Sequence, residues 1–295
     1  MDRATTRLRA LLRDKDFVYM PAVYHPLGGR LVENLGFDAA YVGGYVTGAS
    51  LAVSEPLLTM DEQLSVAGSV ANSISLPVVV DGGAGFGEPL HTMRTVREAV
   101  RAGIAGMHIE DQLYPKRAHY HKYVAHAVLT EEFVDKIRYA CRARDETDAD
   151  FVVIARTDTC RSEGLEEAVD RLNRAADVGA DMGLLFPRNL SEAREAPKRV
   201  RLPLVYVQSR GNRDGRPLID NDQLREMGWR ACIDAQIFLL AALDAAERAL
   251  IEVRETGAWT GMSDARAVDM RKRIETLIGL DRFYEIEEQT VEGKK

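Results

Sequence analysis

Asp81, Glu110 and Arg156 each end a short apolar run, PVVVD, GMHIE and FVVIAR. Two carboxylates placed this way can hold a hard divalent cation, directly or through water. An arginine beside them can take a substrate carboxylate in a two-pronged contact. Gly43-Gly44 closes another run and offers backbone N–H groups to a developing oxyanion. Glu110-Asp111, Arg156-Thr157-Asp158, Arg188 and Gln208-Ser209-Arg210 also follow apolar runs. Charged strand ends commonly cap helices or pair with each other, so no single position decides anything; convergence on one face would mark a site.

Two segments could add to that chemistry. DGGAGFGEP (Asp81 to Pro89) is glycine-rich and opens a helical pattern, but the GxGxxG register fails and no Lys-Ser/Thr pair follows. It reads as a tight active-site turn rather than a phosphate loop. The stretch from Gln112 to Thr130 is long and polar and carries His119, His121 and His126 of the six histidines. A loop of that length in a compact domain suggests a lid. His119, His121 or Tyr120 could then supply a proton, histidine being suited to neutral pH. Zinc is disfavoured there, since no cysteine or neighbouring carboxylate completes a ligand set. His108, inside an apolar run, reads as a hydrogen-bonded core residue; His25 could face the site; His91 should face solvent.

The elements that must position these residues are eight apolar runs: Phe17–Val23, Ala39–Gly43, Leu76–Asp81, Gly106–Glu110, Phe151–Arg156, Met182–Phe186, Leu202–Val207 and Ala231–Asp234. Most are continuous rather than alternating, as strands buried on both faces read, which implies a parallel sheet covered by helices. Helical patterns lie between them: Thr59 to Ser73, Pro89 to Ala102, Thr130 to Arg144 and Leu165 to Val178, with acid-rich starts and glycine ends. The expected fold is an α/β (β/α)8 barrel, with a doubly wound open sheet as the alternative. Gln236–Glu255 and Asp264–Leu280 are more helix than one barrel needs, and EEQTVEGKK looks like a frayed tail. The expectation is one domain over 1–295, with a helical extension over about 236–285.

Composition closes off other classes. The chain has 295 residues, 46% of them hydrophobic, and a net charge of −7. That supports a sizeable core and argues against nucleic acid or anionic membranes as partners. No apolar run is long enough to span a bilayer, and the N-terminal stretch is charged where a signal peptide is apolar. Three scattered cysteines, Cys141, Cys160 and Cys232, suggest neither a disulfide framework nor a CxxC metal site. The expectation is a cytoplasmic protein.

The runs AYVGGYVTGAS, VVVDGGAGFGEP, AGMHIEDQ, PKRAHYH, IARTD with EGLEEAVDR, and GADMGLLFP occur in that order. Together they resemble the isocitrate lyase/phosphoenolpyruvate phosphonomutase superfamily, nearest to its short 2-methylisocitrate lyase-like members, from about Phe17 to Ala235. The resemblance implies a (β/α)8 barrel with a terminal helix exchanged between subunits, giving homo-oligomers (a dimer or a dimer of dimers, hence a homotetramer). It implies Mg2+-assisted making or breaking of a bond to carbon 3 of a pyruvate-like enolate. Position by position, Gly43 and Gly44 match the carboxylate-binding turn, flanked by Tyr41 and Tyr45, which join the expected substrate-binding set. Asp81 and Glu110 match metal-site acids, and Arg156 the arginine that grips the substrate carboxylate. Glu55 falls one residue from the family's aspartate after the second strand.

The departures from the pattern carry information too. The family's DxD reads Asp81-Gly82-Gly83, and KRCGH reads Lys116-Arg117-Ala118-His119-Tyr120, without the cysteine proton donor. Arg188 replaces a glutamate, and Val207 and Arg210 stand where lyases carry Asn and Glu. Acids are lost and arginines gained, which argues against a simple methylisocitrate or isocitrate lyase. Three expectations remain. The first is a divergent carbon–carbon lyase or decarboxylase for a small 2-oxo or 2-hydroxy polycarboxylic acid. The second is a phosphonate or hydrolytic relative, with Arg188 and Arg210 meeting the extra anionic group. The third is a non-catalytic carboxylate-binding barrel.

Overall fold

A computed structural model of the chain describes residues 2–118, 122 and 124–293. The elements run α1 (Ala4–Asp14), β1 (Val18–Pro21), α2 (Pro26–Asn34), β2 (Ala40–Val42), α3 (Gly44–Ser50), α4 (Met60–Ala71), β3 (Val78–Asp81) and α5 (Pro89–Arg101). They continue with β4 (Gly106–Glu110), α6 (Thr130–Thr147), β5 (Val152–Thr157), α7 (Leu165–Asp177), β6 (Met182–Leu185), α8 (Leu190–Arg199), β7 (Leu204–Gln208), α9 (Asn221–Met227) and β8 (Ala231–Asp234). Each of the eight apolar runs forms a strand. All pairings are parallel, in the order β1-β8-β7-β6-β5-β4-β3-β2. The barrel closes between β1 and β2 through one bridge, Ala22 to Tyr41, with Val23 N–H donating to Tyr41 O at 2.9 Å. The (β/α)8 barrel therefore holds, and the open sheet does not.

Successive strand residues feed two apolar layers, as the two-residue strand period requires. Val79, Ile154 and Leu184 pack in the barrel interior, with Leu8 of α1 in the same cluster. Their neighbours Val80, Val153 and Leu185 pack outward against Val96, Ile137 and Leu172 of the surrounding helices. Both layers are nearly inaccessible to solvent, which is why the runs read as continuously apolar.

Local signals set the helix starts. Thr59 and Glu62 form a reciprocal capping box: the Thr59 hydroxyl accepts from Glu62 N–H at 3.2 Å, and the Glu62 carboxylate accepts from Thr59 N–H at 2.8 Å. Thr130 is the first helical residue rather than a cap, and its hydroxyl donates to Glu167 at 2.9 Å.

Past the barrel come α10 (Ile237–Thr256), α11 (Asp264–Ile278) and α12 (Leu280–Glu287), broken by Gly257 and Gly279 in the left-handed region. A π-helical turn spans Glu288–Glu292. The frayed tail expected over EEQTVEGKK is thus helical as far as Glu292. None of these helices buries a residue, and Leu243 and Leu250 are 64% and 70% exposed. Phe238 reaches back to the rings of Tyr24 and His25, and Arg273 donates to Asn34 of α2 at 3.1 Å. Among the described residues no helix is long and apolar enough to cross a membrane.

Candidate active site

The C-terminal ends of the strands surround a cleft of about 820 Å³, lined by Tyr41, Gly43, Gly44, Asp81, His108 and Arg156 among others. This is the end of a (β/α)8 barrel where variable loops can build a site on a rigid sheet. Register explains the convergence: Asp81 pairs with His108, and Glu110 with Arg156, on adjacent strands. Asp111, fully buried behind them, accepts from the Thr157 hydroxyl at 2.5 Å, Asp158 N–H at 3.0 Å and Arg171 at 3.2 Å. It ties the ends of β4 and β5 together.

Arg156 is the hub. Its Nε and Nη2 donate to the two oxygens of Asp158 at 3.0 and 3.1 Å, and its Nη1 is 3.0 Å from Glu110 and 3.8 Å from Asp81. A guanidinium has five N–H donors, so one on Nη1 and one on Nη2 remain for a ligand. Burial works against its charge, but Asp158, Glu110 and Asp81 outweigh that and hold it well above the usual arginine value.

The acids respond in opposite directions. Burial drives Glu110 up to about 7 against the pull of Arg156 and Lys116, and neither carboxylate oxygen accepts a hydrogen bond among the described residues. Burial also opposes ionisation of Asp81, yet His108, Lys116, Arg156 and the Gly83 amide hold it well below the usual carboxylate range. Burial pulls His108 down to about 4. Its ring is therefore neutral near pH 7, sharing a 2.7 Å hydrogen bond between Nε2 and the Tyr41 hydroxyl.

The expected site residues divide into three sets. Asp81, Glu110, Arg156, Tyr41, Gly43 and Gly44 come together, although the Gly44 N–H already donates to Asp81 at 3.2 Å and so is not a free oxyanion donor. Tyr45 lies at the rim, 44% exposed. Arg188 also borders the cleft, but its guanidinium is clamped by Glu192 one helical turn away, with Nε donating at 2.7 Å. It serves α8 before it can serve a ligand. Arg210 stands exposed at the edge. His119, Tyr120 and His121 lie outside the described residues. The flanking residues are fastened by an antiparallel bridge between Gln112 and Ala127, with Leu113 N–H donating to His126 O at 2.8 Å. His25 does not line the cleft; it caps α2 by accepting from Gly28 N–H at 2.9 Å. His91 is exposed on α5, as its position implied. In the DGGAGFGEP turn, Gly83, Gly85, Phe86 and Gly87 all take positive φ, and Asp81 accepts from Gly83 N–H at 2.8 Å.

Three participants stand outside the expected set of site residues. His108, read as core, is buried but reaches the cleft. Lys116 reaches in from the long loop, ion-paired with Glu55 and 3.0 Å from Glu110, which brings Glu55 into the acid cluster despite its one-residue offset. Arg216, between β7 and α9, places its guanidinium 4.3 Å from the Phe186 ring centroid; Arg156 lies 4.8 Å from the same centroid. Only its charge was visible in the sequence, since the spacing of a loop residue carries no periodic signal.

Among the described residues no group of three His, Cys, Asp or Glu is spaced to cage a metal ion. Mg2+ needs no such cage, because it keeps water and takes one or two carboxylates. Asp81, Glu110, Glu55 and Asp158 outnumber Lys116 and Arg156 by two charges in their ionised forms. The Glu110 oxygens are held only by ion pairs and accept no hydrogen bond among the described residues, and this all-oxygen donor set fits a hydrated divalent cation.

The profile of a family described as phosphoenolpyruvate phosphomutase matches residues 8–254. The chain is 35% identical over 268 residues to a 2-methylisocitrate lyase of Aeropyrum pernix, covering 90% of this chain and 84% of that protein. The crystal structure of a 2,3-dimethylmalate lyase superposes with a TM-score of 0.87 at 32% identity, covering 99% of this chain and 96% of that one. An oxaloacetate acetylhydrolase, crystallised with the inhibitor 3,3-difluorooxalacetate, also scores 0.87 at 30% identity, with 97% and 96% covered.

Proposed function

This chain belongs to the phosphoenolpyruvate phosphomutase family, and from that premise we propose that it is a carbon–carbon lyase or decarboxylase. Its substrate is a small 2-oxo or 2-hydroxy polycarboxylic acid, cleaved through a pyruvate-like enolate. The observation that carries the reading is the state of Arg156: a buried guanidinium kept charged by three acids, with two N–H donors left, in a cleft of ligand size. Those donors take the substrate carboxylate next to the reacting carbon. Because Asp158 and Glu110 fix the guanidinium, little reorganisation is needed as charge develops.

For a 2-oxo acid the scissile C–C bond breaks, its electron pair passes into the enolate and CO2 departs. For a 2-hydroxy acid the hydroxyl gives its proton to a carboxylate of the cleft as the C–C bond breaks, its carbon leaves as the carbonyl of an oxo acid, and the electron pair of the broken bond passes into the enolate of the other fragment. A proton then returns to the enolate carbon. Asp81 and Glu110, with Glu55 nearby, are the residues that would hold Mg2+, which when bound supplies positive charge to the enolate oxygen. Tyr41 and Gly43 border the reacting end, and His108 stays neutral to keep Tyr41 oriented. We assign the returning proton to the loop residues His119, Tyr120 or His121 on the sequence alone, Ala118 having no proton to give.

The assay set is oxaloacetate, 2,3-dimethylmalate and 2-methylisocitrate, followed by CO2 and oxo-acid release. Arg156→Gln should lower kcat/KM about 10- to 150-fold, the effect of losing a charge-assisted contact. Asp81→Ala should abolish the response to added Mg2+. Phosphate release from phosphonopyruvate without any C–C product would favour the phosphonate alternative. Ligand binding with no turnover of any compound would favour a binding barrel. We further propose that 1–295 is one domain and a homo-oligomer, supported by the unburied apolar faces of α10–α12. Light scattering at micromolar concentration tests this; a strict monomer would refute the oligomer.

A further inference from the structure

Arg216 is a buried cation with no close partner among the described residues. Its side chain is 10% exposed, and its Nη2 lies 3.6 Å from Asp214. Nε and Nη1 are buried with no acceptor among the described residues. Arg156, in the same cleft, is by contrast surrounded by carboxylates. Leaving N–H donors of a guanidinium buried and unpaired is costly, and the cost is recovered if a ligand brings the missing acceptor.

The surroundings hold Arg216 in place. The Asn212 side-chain amide donates to Ser209 O at 2.9 Å and to Arg216 O at 3.0 Å, closing the loop on itself. The Tyr206 hydroxyl donates to Pro217 O at 2.5 Å, and the Gln208 amide donates to Ile219 O, fastening the loop to β7. Phe186 lies under both guanidinium groups, so Arg216 and Arg156 are separated by no more than their two distances to one ring. A four- or five-carbon diacid can reach both.

We propose that Arg216 binds the second carboxylate of the substrate and makes this enzyme selective for short dicarboxylic acids. The proposal rests on the reading that Arg156 takes the first carboxylate. Specificity of this kind arises because an analogue lacking the second carboxylate leaves the buried donors unpaired.

Calorimetric titration of the intact protein with two probes separates the claims. Pyruvate carries a single carboxylate, whereas 3,3-difluorooxalacetate carries a second, distal one. Arg216→Gln should weaken difluorooxalacetate about 10- to 150-fold and leave pyruvate within twofold. Arg216→Lys, keeping charge without the planar fork, should fall between Arg216→Gln and wild type. If Arg216→Gln leaves both affinities unchanged while Arg156→Gln weakens both, the assignment of Arg216 is wrong and the enolate reading stands. Equal weakening of both probes by Arg216→Gln would mean a general loss of cleft structure and would overturn the assignment. A wild-type protein that binds neither probe would overturn both.

Discussion

Replacing Glu110 by Gln tests the electrostatics of the cleft without a known substrate. Burial, reinforced by the nearby charges of Asp158 and Asp81, moves this carboxyl from the ordinary 4.5 up to about 7. The folded protein therefore holds a proton on Glu110 through a pH range in which the unfolded chain has released it. The contribution to stability is fully present below about pH 4.5 and is lost as pH rises through 7. At about 1.4 kcal/mol per pH unit, the full loss is about 3 kcal/mol. Roughly 2–3 kcal/mol of it falls between pH 5 and pH 8. Glutamine has nearly the same shape and no titration. Denaturant unfolding of metal-free protein, run for wild type and Glu110→Gln at both pH values, isolates the effect because Asp81, Asp111 and Asp158 are common to both. The wild type should lose about 2–3 kcal/mol relative to the variant on going from pH 5 to pH 8. Parallel pH dependence would mean that Lys116 and Arg156 hold Glu110 ionised and that the burial argument is wrong.

Gly83 occupies the place of the missing acid with φ at +50°, and a Cβ added there meets nothing within 4 Å. Gly83→Asp should fold at a cost of about 1 kcal/mol and tighten Mg2+ or Mn2+ binding about tenfold or more in a metal titration; unchanged affinity would remove the metal from this end of the cleft. Tyr41→Phe leaves His108 Nε2 buried without its 2.7 Å partner and should destabilise the protein by about 1–3 kcal/mol in the same unfolding assay. Cys141, Cys160 and Cys232 are all buried, and burial pushes their thiols up, to about 12 for Cys141 and Cys160. Alkylation by iodoacetamide at pH 7.5 should be slow and should leave activity intact, and rapid inactivation with substrate protection would place a thiol in the site.

The eight strands were legible because both faces of each are buried, which turns PVVVD and FVVIAR into continuous apolar runs with a charge at the end. Asp81, Glu110 and Arg156 were legible for the same reason: parallel register brings like ends of neighbouring strands together. What the sequence withheld depends on tertiary closure. Arg188 has its partner Glu192 a helical turn away, so its charge is used locally. Lys116 and Arg216 enter from loops whose paths no periodicity describes. His108 alternates like a core residue and is one, but the mouth of a barrel is where core and cleft meet. The last residues were misread because a helix whose apolar side meets no other part of this chain carries the same charge-rich composition as a tail.

The barrel's closure has a consequence for how ligands act on it. Every strand pair except β1 and β2 is laced by a run of hydrogen-bonded partners, whereas that junction has the single bridge from Ala22 to Tyr41. It is the weakest joint of the hoop, and local opening starts where hydrogen bonds are fewest. Tyr41 and the Gly43-Gly44 turn stand directly on it. A molecule held between that turn and Arg156 of β5 steadies the β2 edge of the joint, so its binding energy also resists opening there. Amide exchange at Ala22, Val23 and Tyr41 should then slow on ligand binding more than exchange in the fully laced strands β4 and β5. In this molecule the place that recognises the ligand is also the place where the cylinder would first come apart.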